Sequence, residues 1–89
     1  MSVLPGADRA LRARADRVVP GGMWGHLHAA RLPDGYPQFF ARGQGGRIWD
    51  VDGREYVDLM CSWGPIVLGH HDPAVDAAAA RQAALGDCL

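Results

Sequence analysis

Apolar residues recur along this chain in two rhythms, and the switch between them marks its parts. In residues 7–18, ADRALRARADRV, Leu11, Ala15 and Val18 fall four and three apart. Arg9, Arg12, Asp16 and Arg17 occupy the other positions, and the spacing predicts a short helix. Val19-Pro20-Gly21-Gly22 then stops it, because Pro20 disfavours helical backbone at Val19 and the glycines open a turn. Residues 20–46 show no period. They read as one long Gly/Pro-rich loop carrying Trp24, Tyr36, Phe39 and Phe40.

From Gly46 the period falls toward two. RIWDVDGREYVDL places β-branched and aromatic residues on both sides of Asp52-Gly53, the pair that a type I′ hairpin turn prefers. Such a turn would set Trp49 opposite Tyr56 and Ile48 opposite Val57. Two strands alone are marginal in water, so this hairpin asks for a further partner. After the loop 61–71, Asp72 suits an N-cap and Pro73 the first helical position. A helix over 73–85 follows, with Gly86 as its stop. This helix is Ala-rich, so it has high propensity but little to bury and should pack closely against a larger layer.

Composition sharpens this picture. Of the 43 residues behind the 48% hydrophobic fraction, 14 are Ala, which leaves a thin core for a chain of 89 residues. A net charge of −1 with interspersed signs offers no field for nucleic acid or an anionic membrane. No apolar run approaches the roughly 20 residues of a membrane span, and no secretory segment is apparent. Cys61 and Cys88 lie far apart without a CxxC, so a reducing, cytoplasmic setting is expected. All nine basic residues are Arg. Chemistry that needs a lysine amine is therefore beyond these residues alone.

Several motifs invite chemistry. Gly43-Gln44-Gly45-Gly46 precedes a strand instead of opening a helix, so it reads as a hairpin entry, not a phosphate loop. Asp50-Val51-Asp52-Gly53 would put Ile48 and Leu59 at the first and twelfth positions of a calcium loop, and neither can bind that ion. His26, His28, His70, His71 and Cys61 could make a metal cluster, yet adjacent His70 and His71 cannot easily face one ion, and no carboxylate completes the set. Trp63 is different. A lone Trp is ordinarily a core anchor, but Gly64 and Pro65 fix its loop and Gly69 permits close approach beside a His pair. That is a workable plate against a flat ligand.

Taken in order, RADRVVPGG, YPQFFARG and GGRIWDVDGREYVDLMCSWGPIVLGHHDPAV resemble the N-terminal segment of class III aminotransferases, closest to the glutamate-1-semialdehyde aminomutase group. The resemblance runs over nearly all of residues 9–76. It implies an α/β fold: a helix, long loop, antiparallel hairpin, loop and helix forming an N-terminal fragment of a fold type I pyridoxal-phosphate (PLP) transferase. The PLP-binding large domain would lie outside residues 1–89. It also implies a homodimer with sites at its interface, acting on a small amine and a carbonyl compound. Ser62, Trp63 and Gly64 would then wall the active site. Pro20-Gly21-Gly22 is similar to a segment that approaches the substrate's carboxylate end, which brings Gly25 and His28 into the expected set.

Two departures bear on specificity. Where the aminomutase group runs approximately Val-Ser-Ser-Pro-Val-Arg, this chain has Met23-Trp24-Gly25-His26-Leu27-His28. His28 replaces an arginine associated with substrate carboxylate, and a neutral imidazole cannot make a guanidinium's bidentate pair. The expectation is an aminotransferase or aminomutase acting on another amine. The absent lysine means that these residues alone are not expected to carry PLP covalently or to catalyse. The alternative expectation is a non-catalytic module that docks on a full-length relative.

Overall fold

A computed structural model describes residues 6–86; Cys88 lies outside them. The order is α1 (Gly6–Val18), single tight turns at Pro20–Gly22 and Ala29–Arg31, β1 (Phe40–Gln44), β2 (Arg47–Asp50), β3 (Glu55–Val57) and α2 (Pro73–Ala83). The strands form one sheet in the order β1-β2-β3. Among the described residues, no helix is long and apolar enough to cross a membrane.

α1 and the start of α2 lie where the periodicity and caps predict. Asp72 accepts the N–H groups of Ala74 and Val75, and α2 ends two residues earlier than expected, at Ala83. β1 is new. Residues 40–44 were expected within a long loop, because FARGQ shows neither alternation nor β-branched residues. It supplies the partner that the hairpin asked for.

The hairpin register also differs from expectation. Asp50 N–H donates to Arg54 O, Gly53 N–H to Asp50 O, and further along Asp58 N–H to Gly46 O. Gly53 alone in this turn has a positive φ, +89°. A type I′ turn needs two such residues, so this is a three-residue loop with a glycine bulge. The shift of one residue sets Trp49 opposite Glu55 and Ile48 opposite Tyr56, and it puts Trp49 and Tyr56 on opposite faces. The cause is Asp50, whose carboxylate accepts the N–H groups of both Asp52 and Arg54 and so stabilises the wider loop.

The described residues divide into two compact units, 6–42 with 49–55 and 43–48 with 56–86. Carboxylates, not aliphatic side chains, fill the first. Asp8 is 1% and Asp50 3% exposed, while Ala15 is the one buried hydrophobic residue among those described. Asp8 Oδ1 accepts the N–H groups of Gln38 and Phe39, both at 2.9 Å, and Oδ2 accepts Arg12 Nε at 2.7 Å. Arg12 in turn donates to Tyr36 O. Asp52 caps α1 from outside the helix, accepting the N–H groups of Ala7 and Asp8. Arg42 lies 3.6 Å over the Trp49 ring. In the second unit α2 buries none of its residues.

Candidate functional site

The segment from Asp58 to Asp72 lies in the second unit and begins as β3 ends. Asp58 Oδ1 accepts Met60 N–H at 2.9 Å and Cys61 N–H at 3.0 Å, a local turn that aspartate favours. Its Oδ2 meets His70 Nε2 at 2.7 Å. The Asp58 carboxyl is held below the usual carboxylate range, first by the His70 hydrogen bond and then by the Cys61 N–H. Partial burial opposes this; the Met60 N–H and the charge of His70 add to it.

Directly after that turn the backbone becomes left-handed. Cys61, Ser62 and Trp63 have φ of 54°, 51° and 67°, and Gly64 follows at 100°. Left-handed backbone costs a residue with a Cβ about 1–2 kcal/mol, and such outliers gather at functional sites. Gly64 N–H is shared between Cys61 O and Met60 O, and Ile66 N–H reaches Cys61 O. Pro65 follows and fixes the next φ. Trp63 stands on it 68% exposed. It is no core anchor of this unit.

At the far end, His70 exchanges backbone hydrogen bonds with Gly45 at 2.8 and 2.9 Å. Its ring lies against Gly43, where a Cβ would sit 2.6 Å from the imidazole Cγ. His71 turns away to Asp76 Oδ2 at 2.9 Å. The two histidines therefore serve different carboxylates. Ile66, Val67, Leu68, Val75 and the two histidines line a shallow cleft of about 360 Å³ in this unit.

The expected residues thus fall into two groups. Ser62, Trp63 and Gly64 share the left-handed turn. Gly25 and His28 belong to the first unit, where Gly25 has φ 65°. His28 Nδ1 accepts Ala30 N–H at 3.3 Å, and the ring packs on Gly21, where a Cβ would approach its Cδ2 to 2.9 Å. Sequence reasoning missed Asp58. An aspartate at a strand end ahead of a Gly/Pro loop signals a side-chain turn, but no spacing rule pairs it with a histidine twelve residues on.

Chemically, the segment offers an aromatic plate on a pinned turn and an Asp–His pair. With no lysine in the chain, it has no amine to condense with a cofactor aldehyde. A covalent hold on PLP through a lysine is therefore outside these residues.

Comparison with known proteins places these features in context. The family model for aminotransferase class-III matches residues 29–87. Aminopentol aminotransferase of Sphingopyxis macrogoltabida is 51% identical over 82 residues, covering 92% of this chain and 19% of that protein. Glutamate-1-semialdehyde 2,1-aminomutase of Chloroflexus aggregans is 53% identical over 74 residues, covering 83% and 17%. Among solved structures, the PLP internal aldimine form of the FumI protein of Sphingopyxis sp. MTA144 superposes with a TM-score of 0.81 at 49% identity, covering 92% of this chain and 20% of that one. An omega-transaminase from Sphaerobacter thermophilus gives 0.76 at 36% identity, covering 93% and 18%. The chain spans about a fifth of the length of the relatives it matches.

Proposed function

The chain belongs to the class-III aminotransferase family, and from that premise we propose that it lines the active site of a PLP-dependent aminotransferase or aminomutase whose lysine-bearing part is other sequence. Its fold is that of a segment of the fold type I PLP transferases. The observation that carries the proposal is Trp63: a large aromatic side chain, 68% exposed, on a turn of three left-handed residues. Strained backbone of this kind gathers at functional sites, and the exposed ring it carries is free to meet a ligand or a further chain. PLP, once held by a lysine elsewhere, supplies the electron sink; this segment's part is to shape the space beside it and keep water out.

Ser62 and Gly64 shape the same wall. Gly25 and His28 join the proposal on the motif resemblance. His28 Nδ1 is occupied by Ala30 N–H, which leaves a neutral imidazole one donor, Nε2–H, toward a substrate. That favours an amine other than glutamate-1-semialdehyde, consistent with the name of the Sphingopyxis relative. A homodimer and an amine–carbonyl substrate pair are part of the same reading.

A segment exchange tests it. These residues replace the matching segment of the Sphingopyxis macrogoltabida aminopentol aminotransferase, and PLP absorbance and transamination are measured. Retention of both supports the reading. A soluble chimera that binds PLP but transaminates no amine overturns it.

A further inference from the structure

The loop that carries Trp63 is tied at both ends by one carboxylate. Asp58 Oδ1 takes the N–H groups of Met60 and Cys61, which open the left-handed turn, while Oδ2 takes His70 Nε2 at 2.7 Å. His70 is a firm anchor. Its backbone is bridged to Gly45, and its ring rests on Gly43. Gly69, at φ 85°, lets Gly45 approach so closely that a Cβ there would stand 2.9 Å from the Gly45 carbonyl.

Nothing in the turn itself supplies such an anchor. The bonds from Gly64 and Ile66 run to Met60 and Cys61 and stay within the loop. Trp63 is exposed, so side-chain packing within this unit does not hold it. Three successive left-handed residues with side chains persist only where their surroundings over-determine them.

We propose that Asp58 and His70 are positioning residues whose hydrogen bond clasps this loop and holds the Trp63 turn left-handed, so that the aromatic wall is preformed before substrate arrives. The functional meaning rests on reading Trp63 as a wall; the clasp is a property of these residues alone. Preformation saves the ordering entropy that a loose loop would lose on binding.

The test reads backbone ¹⁵N order parameters at Cys61, Ser62, Trp63 and Gly64 in the 89-residue chain. The wild type gives rigid values of about 0.85, and His70→Ala lowers them below about 0.6. His70→Gln, whose side-chain N–H reaches toward the same oxygen, restores them. Amides of α1 and Val51 keep their values in all three, which confines the change to the loop. Three results overturn the clasp: a mobile turn in the wild type, a turn unmoved by His70→Ala, or equal mobility in both variants. In the segment-exchange enzyme, His70→Ala raises KM several-fold more than it lowers kcat. Should Trp63→Ala leave KM unchanged there, the wall reading fails while the order parameters still judge the clasp.

Discussion

Asp8 offers the sharpest test of how so thin a core holds together. Its buried carboxylate receives Gln38 N–H, Phe39 N–H and Arg12 Nε. Asp8→Ala leaves two backbone donors and the Arg12 Nε–H without their acceptor, while the Arg12 bond to Tyr36 O remains. An unsatisfied buried donor costs about 1–3 kcal/mol. Gln38 and Phe39 are half-buried, so water recovers part of that, and the net loss is roughly 2–4 kcal/mol. A chain of 89 residues has about 4–13 kcal/mol in all, so the substitution removes much of the stability of the first unit. Asp8→Asn keeps an acceptor for the two amides but turns an NH₂ group toward Arg12, and falls between wild type and Asp8→Ala. The assay is amide hydrogen exchange, read at Val51, whose N–H donates to Phe39 O and so reports beyond the deleted bonds. Exchange there accelerates roughly 30- to 700-fold in Asp8→Ala. Asp16→Asn, an exposed carboxylate on the same helix, changes stability by less than about 0.5 kcal/mol. Exchange at Val51 unchanged by Asp8→Ala would refute the hub.

Further outcomes follow from the second unit. Gly69→Ala forces a Cβ to 2.9 Å from the Gly45 carbonyl at a positive φ, so it costs about 1–3 kcal/mol, seen as faster exchange of the His70 and Gly45 amides. The Asp58 carboxyl titrates below the usual carboxylate range because of its His70 hydrogen bond. Its folded pKa is depressed, so its contribution to stability is present above the ordinary carboxylate pKa and is lost as pH falls through the lower, folded value. Carboxyl ¹³C shifts check this: His70→Ala returns the midpoint toward the ordinary range, and an ordinary midpoint with His70 intact contradicts it. Asp72→Ala removes the acceptor for Ala74 and Val75 and costs α2 about 1 kcal/mol, measured as lost helical circular dichroism.

How much of this the sequence shows depends on the reach of each interaction. α1 and the start of α2 are legible because spacing and caps act within a turn or two. The hairpin is legible as a hairpin, but its register hangs on the side chain of Asp50, which spacing does not report. β1 has no pattern of its own and exists because β2 lies beside it. The same contrast divides the candidate site. Trp63, Gly64 and Pro65 stand out by residue type, whereas the left-handed turn and the pairing of Asp58 with His70 depend on contacts made after folding. Asp8 is the clearest case: a charged residue of α1 is among the most buried of the described residues, since two of its three partners, the Gln38 and Phe39 amides, come from some thirty residues away.

Trp63→Ala in the segment-exchange aminotransferase is the most direct measurement of the central claim. Losing an aromatic wall worth about 1.5–3 kcal/mol raises KM for the amine roughly ten- to hundredfold while the enzyme still binds PLP. An unchanged KM, with Trp63 gone and the cofactor bound, would contradict it.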